Sequence, residues 1–536
     1  MGSPDRSPAS PDSLNSAVHR VVRGGALSLG GIFTGALLNL VLVYVVTQGL
    51  GADGAGVFFE SIALFSILTT VACFGADTGF VRTVSRFKAL DRVRDLRRLF
   101  LVGFSPVLLI STLAAAAVIV WAPELVRAFS KEGIADVDAV RHLRLLAIFL
   151  PFASIGWVCL AAARGFGTML PYVLLENVGK PLLRPGLAML AVAAGFGAGA
   201  IALAWALPVA IQLPISLLVM VTLLRRAERE APRSGARAST RALAAEFWSF
   251  SLARGLASVF QVAITWLDIL LVGLFLGPSE AGVYAVVSRL MLAGKLTLEA
   301  IRLAIAPEMS TLLARGDRAG AGGLYRVAAV WTIVPSWPFY VILFVFAPVV
   351  MNFFGPDFDS GILALRILSV AMLFDLGTGQ VTTVLLMGGK SSWNLINSVI
   401  SLSLNLTLNL ILIPRIGLEG AAIAWSLSIL FDNVVPLIQI GILMKIRLFG
   451  RSYFQAAGAA IGCFAGIGFA VLVTLGSTGA ALGTAILVAT GIYATVLYGA
   501  RDSLGFPLLW AALKPGSKQG LDDVAGDRRT PEPEGV

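Results

Sequence analysis

Of 536 residues, 57% are hydrophobic and only 13% are charged, and the mean hydropathy is +0.86. Soluble domains carry roughly twice that charge, so the composition excludes a water-soluble chain and points to an all-α polytopic membrane protein. The net charge of +10 does not imply a nucleic-acid partner, because the basic residues lie in short loops between apolar runs, where they set topology.

In chain order, residues 1–18 are rich in Ser, Pro and Asp and are expected to form a disordered cytoplasmic tail. The first apolar span is too long for a signal-peptide core and is expected to stay in the mature chain. About fourteen spans follow, at 21–47, 53–78, 99–122, 142–163, 171–196, 199–224, 246–276, 280–305, 325–354, 362–387, 391–414, 418–444, 454–475 and 479–500. Each is long enough to cross a hydrocarbon core of about 30 Å. Very short turns make neighbouring spans antiparallel hairpins. The cysteines, Cys73, Cys159 and Cys463, sit singly inside apolar spans without a CxxC, so neither a disulfide framework nor a zinc site is supported.

Lys and Arg cluster after even-numbered spans, as in Arg82–Arg98 and Arg225–Arg241. The turns after spans 1, 5, 7, 9 and 13 have none. Both termini are therefore expected on the cytoplasmic side of the cell membrane.

The chain also repeats. Leu50-Gly51-Ala52-Asp53-Gly54-Ala55-Gly56-Val57-Phe58 matches Leu276-Gly277-Pro278-Ser279-Glu280-Ala281-Gly282-Val283-Tyr284 at an offset of 226. Arg144-Leu145-Leu146 matches Arg366-Ile367-Leu368 at 222, and Ala204-Trp205 matches Ala424-Trp425 at 220. An even number of spans per unit makes these parallel repeats. The expected organisation is an N-terminal six-helix lobe at 19–226, a cytoplasmic linker at 227–244, a C-terminal six-helix lobe at 245–446, a helix pair at 447–500 and a cytoplasmic tail at 501–536.

The hairpin at 246–304 carries the charges that matter. Its arms hold Arg254, Asp268, Arg289, Lys295, Glu299 and Arg302. A charge at bilayer depth is costly and usually faces protein or a wet cavity. Arg254, Gln261 and Asp268 recur every seven residues, on one helix face. Folding the arms back at Pro278 places Asp268 and Arg289 both about 15 Å from the turn. The result is a seam with Asp268–Arg289 at one level and Arg254–Glu299–Arg302 at the other. Two readings stand: the pairs neutralise each other as interhelical glue, or spare positive charge lines a cavity for an anionic substrate. Arg82 either faces a cavity mouth or is one more topology charge.

Other intramembrane polar residues are Glu60, Glu176, Asn177, Arg184, Asp375, Asn394, Asn397, Asn405, Asn409, Asp432 and Asn433. Asn405 and Asn409, one turn apart, read as helix glue. Asp375 reads as an ion-coupling candidate beside Asp268, or as partnered from another span. Glu60 reads as a wet end residue. Prolines at 151, 171, 208, 214, 335, 338 and 436 are expected to kink their spans. The only histidines, His19 and His142, have no metal-like neighbours, and no GxxxxGK[ST] loop occurs. No catalytic residue, metal or cofactor is expected.

The stretches LGADGAGVFFESIALFSIL (50–68), GADTGFVRTVSRF (75–87), LDILLVGLFLGPSEAGVYAVVSRL (267–290) and LLMGGKSSWNLINSVISLSLNLTLNLILIPRIGLEGAAIAWSLS (385–428) carry a resemblance. Over about residues 20–500 the chain resembles the polysaccharide (O-antigen-type) flippases of the MATE-like multidrug/oligosaccharidyl-lipid/polysaccharide exporter superfamily. The resemblance implies a central cationic cavity and translocation of polyprenyl-diphosphate-linked glycans, with membrane lipids and glycosyltransferases or a polymerase of a polysaccharide pathway as partners. The alternative in the same superfamily is an ion-coupled multidrug (organic-cation) antiporter, which needs a carboxylate-dominated cavity. A membrane enzyme would want a larger outer segment than residues 123–141.

Overall fold

The computed structural model describes residues 11–129, 136–230, 238–444 and 450–501. Of the tails expected at 1–18 and 501–536, residues 1–10 and 502–536 lie outside the described residues, as do the loop segments 130–135, 231–237 and 445–449, while residues 11–18 belong to a helix rather than to a disordered tail. Among the described residues the secondary structure is helical, with no strand.

The helices are α1 (Pro11–Cys73), α2 (Ala76–Ala89), α3 (Leu96–Phe129), α4 (Val137–Ile148), α5 (Leu150–Gly165), α6 (Leu170–Tyr172), α7 (Lys180–Ala193), α8 (Ala198–Glu230), α9 (Thr240–Leu276) and α10 (Pro278–Gly294). They continue as α11 (Leu296–Ala314), α12 (Arg318–Val345), α13 (Ala347–Phe354), α14 (Ile362–Thr378), α15 (Val381–Met387), α16 (Ser391–Ile416), α17 (Leu418–Gln439), α18 (Arg451–Ile461), α19 (Ile467–Leu475) and α20 (Gly479–Gly499).

Twelve stretches of the described chain are long and apolar enough to cross a membrane, against the fourteen expected. Two places account for the difference. The expected spans 1 and 2 run together as α1, broken only at Gly51, where φ is 67° and ψ is −170°. The expected span 5 carries Glu176, Lys180 and Arg184 and is split into α6, a π-helical segment Val173–Gly179 and α7. Pro181 and Pro185 contribute no N–H there, so the regular ladder loosens. The expected span 4 is two helices that meet beside Pro151, and the expected span 8 breaks at Lys295.

By internal packing the chain divides into two compact units. The first is Met1–Leu296, Val350–Ala371 and Ser391–Asp432; the second is Thr297–Val349, Met372–Lys390 and Asn433–Val536.

Within the first unit, the repeat-related turns take the same backbone form. Gly277, like Gly51, has positive φ (94°) and extended ψ (174°), a region essentially restricted to glycine. The following helices cross backbone to backbone. A Cβ at Gly56 would stand 1.7 Å from the Pro278 carbonyl oxygen, and one at Gly282 would stand 2.3 Å from that of Ala52. The contact is reciprocal, because 52 and 278, like 56 and 282, are repeat partners. Small residues of this kind let membrane helices approach closely.

An aromatic cluster forms part of the buried core of this unit. The Phe80 ring lies 4.7 Å from Phe247, 5.2 Å from Phe104 and 5.3 Å from Phe100. Around it, Glu246 pairs with Arg86 at 3.1 Å and Arg92 at 3.3 Å, and Arg97 pairs with Glu228 at 2.6 Å. Arg86 is half exposed, so its pair contributes at most about 1 kcal/mol, and ring packing contributes more to the stability of this region.

The second unit has its own core, with Met309, Tyr325, Ala329, Val381, Val384 and Ile440 buried together. Tyr325 donates to the Thr378 carbonyl, and the Tyr493 hydroxyl donates to that of Val334 at 3.0 Å.

Candidate functional site

A cavity of about 720 Å³ lies in the first unit between α1, α2, α5, the π segment, α7, α8, α9 and α10. Its charged lining is Asp77, Glu176, Lys180, Arg184 and Arg289. Three tryptophans, Trp157, Trp205 and Trp266, line it as well.

Glu176, Lys180 and Arg184 recur every four residues and so share a helix face. Glu176 Oε1 accepts from Lys180 Nζ at 2.8 Å and from Gln212 Nε2 at 2.7 Å. Lys180 is therefore neutralised in place. Arg184 is held differently. Its Nε donates to the Trp205 carbonyl at 3.1 Å, and its guanidinium lies 4.0 Å from the centre of the Trp205 ring. Arg289 stacks on Trp266 at 3.9 Å, and its buried Nη2 has no hydrogen-bond partner among the described residues. Neither arginine forms an ion pair among the described residues. Asp77 accepts from Trp157 Nε1 at 3.4 Å. Stacking fixes the two guanidiniums against aromatic rings without a direct ion pair; Arg184 still feels the Glu176 carboxylate, two turns back on the same face.

Of the residues singled out from the sequence, Arg289 and Gln261 line this cavity and Arg254, Asp268, Lys295 and Arg82 do not. The expected Asp268–Arg289 pair does not form. Asp268 is buried and accepts instead from the Tyr284 hydroxyl at 3.2 Å and from Asn409 Nδ2 at 2.9 Å. Asn409 Nδ2 also donates to Asn405 at 3.1 Å. Asp268 shares a helix face with Gln261 but sits two turns further on, where α9 is covered by α10 and α16. Periodicity fixed the face and not the depth at which the cavity closes.

Arg254 is exposed and unpaired among the described residues. Arg82 is exposed and lies 4.1 Å over Phe250. Lys295 is partly buried at the break between α10 and α11. In the second unit, Glu299 and Arg302 pair with each other, both about half exposed. There Asp375 Oδ1 accepts from Asn433 Nδ2 at 2.8 Å.

Lys180 was missed from the sequence, and Glu176 and Arg184 were noted only as polar positions. The spacing 176, 180, 184 was the available signal. Glu60 is also a correction: it is 6% exposed rather than wet. No cluster of three metal-ligating side chains occurs among the described residues.

Comparison with known proteins places this geometry. Residues 59–362, more than half the chain, match the model of a family described as polysaccharide biosynthesis protein. The chain belongs to that family. Among relatives, it is 26% identical over 200 residues to a probable low-salt glycan biosynthesis flippase of Haloferax volcanii, a match that covers 36% of this chain and 41% of that protein. Among solved structures, this polysaccharide biosynthesis family member is similar to the lipid II flippase MurJ in an inward closed conformation. The TM-score is 0.66 at 14% identity, over 89% of this chain and 100% of MurJ. It is also similar to an inward-facing multidrug resistance MATE transporter of the MOP superfamily, with TM-score 0.58 and 17% identity, over 78% and 99% of the two chains. At these identities the structural likeness establishes the fold alone, the one these two multi-pass membrane proteins share.

Proposed function

We propose that this family member is a flippase. It moves a polyprenyl-diphosphate-linked oligosaccharide from the cytoplasmic to the outer leaflet of the cell membrane by alternating access, as a transporter and not an enzyme. The observation that carries this reading is the pair Arg184 and Arg289, held on tryptophans in the cavity and forming no ion pair among the described residues.

A diphosphate needs fixed positive charge away from bulk water, and guanidinium forks match phosphate oxygens. The cavity volume of about 720 Å³ is within the range of roughly 300–1,000 Å³ common to ligand sites. The lining has three cations against two carboxylates, and one of the carboxylates is tied to Lys180. That balance favours an anionic substrate over the organic cations of a multidrug antiporter.

Support also comes from the flippase named among the relatives and from the shared fold. The Lys/Arg pattern of the loops favours cytoplasmic termini. The glycan would come from glycosyltransferases and pass to a polymerase or other consumer of lipid-linked sugar.

The test is export of surface glycan in cells carrying Arg289→Gln or Arg184→Gln. A charge-assisted hydrogen bond contributes about 1.5–3 kcal/mol, so a drop in transport of roughly tenfold or more is expected at normal protein level. Wild-type export in both variants contradicts the reading.

A further inference from the structure

The 720 Å³ cavity is not uniform along its length. One end holds the two stacked arginines. Towards the other, the lining includes Asp77 of α2, Trp157 of α5 and Thr69 and Thr70 of α1. The segment that carries Glu176, Lys180 and Arg184 measures the separation. Tyr172 stands edge-on to Trp157, with ring centres 6.0 Å apart. It lies twelve residues before Arg184, roughly 18 Å along a helix axis. The lining cations are Lys180, Arg184 and Arg289, so among the described residues none lines the Trp157 end. Arg164 lies over Tyr172 at 4.5 Å and does not line the cavity.

At this end Asp77 orients the indole. Its Oδ2 accepts from Trp157 Nε1 at 3.4 Å, and its Oδ1 accepts from the Thr78 hydroxyl at 3.3 Å. A carboxylate has about four lone-pair sites, so acceptor capacity remains. Thr69 and Thr70 donate to carbonyls of their own helix at 2.7 and 2.9 Å, which leaves their oxygens as acceptors too.

A fixed ring beside acceptor oxygens suits a neutral polyol. Sugar hydroxyls donate to such oxygens, and the C–H face of a pyranose packs on an aromatic plane. A phosphate is repelled by Asp77 and drawn to the arginine end. We propose that the Trp157 end is a sugar subsite, where a ring of the glycan stacks on Trp157 and donates hydrogen bonds to Asp77. This rests on the diphosphate reading above and adds to it a second recognition element in the same cavity. The roughly 18 Å between the two ends is longer than a diphosphate with one sugar attached, so the ring that reaches Trp157 lies beyond the first sugar.

The test uses the purified full chain in lipid nanodiscs with two probes. One is polyprenyl diphosphate without sugar. The other is the lipid-linked oligosaccharide fraction from membranes of the producing cell. The wild-type chain is expected to bind the oligosaccharide fraction more tightly. Trp157→Leu is expected to weaken that binding by about three- to tenfold and to leave polyprenyl diphosphate unchanged, while Trp157→Phe keeps most of the affinity. Asp77→Asn is expected to weaken the oligosaccharide fraction alone, by about two- to fivefold.

Should Trp157→Leu fail to fold, Asp77→Asn decides by the same comparison. Undiminished affinity for the oligosaccharide fraction overturns the proposal. So does an equal loss for both probes, which makes the pair merely structural. A wild-type chain that binds both probes equally well overturns the sugar subsite and leaves the diphosphate reading standing, whereas a chain that binds neither overturns both.

Discussion

Arg289 lies over Trp266 with its guanidinium 3.9 Å from the ring centre, across the hairpin that turns at Gly277. The two residues stand twelve and eleven positions from that glycine, so antiparallel helices bring them to one level. A carboxylate in the place of Trp266 would hold the arginine equally well but would cancel its charge.

Replacing the ring tests the stacking. Trp266→Ala removes a contact of about 0.5–2 kcal/mol and frees the guanidinium to leave its position. Export is expected to fall several-fold at normal protein level, whereas Trp266→Phe retains most of it. Equal export in both variants, measured against membrane protein content, contradicts a positioning role for the ring.

The Glu176–Lys180–Gln212 cluster leads to a stability prediction. The side chains of Glu176 and Lys180 are 11% and 12% exposed. Lys180→Ala leaves a buried carboxylate with one neutral donor and should cost about 3–5 kcal/mol, as does breaking other buried pairs from one side. The double change Glu176→Leu with Lys180→Met should recover most of that loss. Thermal unfolding in nanodiscs measures both. A single variant as stable as the wild type contradicts the assignment of Lys180 as spent on Glu176.

How much of this was legible in the sequence depends on the kind of signal. Hydropathy revealed an all-helical membrane chain, because each crossing must satisfy its own backbone in about twenty residues. Self-similarity located the turns at Gly51 and Gly277, whose shared φ is a backbone need that only glycine meets. The spacing of Arg254, Gln261 and Asp268 pointed to a face but could not say where along it α10 and α16 close over Asp268. The pairing of Arg289 with Trp266 had no sequence pattern, since an arginine's partner across a hairpin depends on helix rotation. Glu60 was misread because its position near a turn suggested water, while the reciprocal helix crossing buries it.

That crossing can be tested. The close approach of Gly56 to Pro278 and of Gly282 to Ala52 makes both glycines irreplaceable for the same reason. Gly56→Ala and Gly282→Ala each force backbone apart, with costs of at least about 1–3 kcal/mol. Folded yield in membranes should drop comparably for the two. Normal yield of either variant contradicts the reciprocal contact.

Asp268 separates a packing role from a binding role. Its oxygens accept from Tyr284 and Asn409, so Asp268→Ala strands both donors at about 1–3 kcal/mol each. Loss of folded protein is expected in that variant. Asp268→Asn keeps one acceptor oxygen, and export should remain within a few-fold of wild type. Folded but transport-dead Asp268→Asn contradicts a packing role.

The most direct measurement is binding of a polyprenyl-diphosphate glycan to the purified chain, wild type against Arg184→Gln with Arg289→Gln, alongside a neutral polyprenyl alcohol. The account predicts that the double variant loses affinity for the diphosphate by about a hundredfold or more, two charge-assisted contacts' worth, while alcohol binding stays unchanged. Diphosphate affinity equal to the wild type's would contradict it.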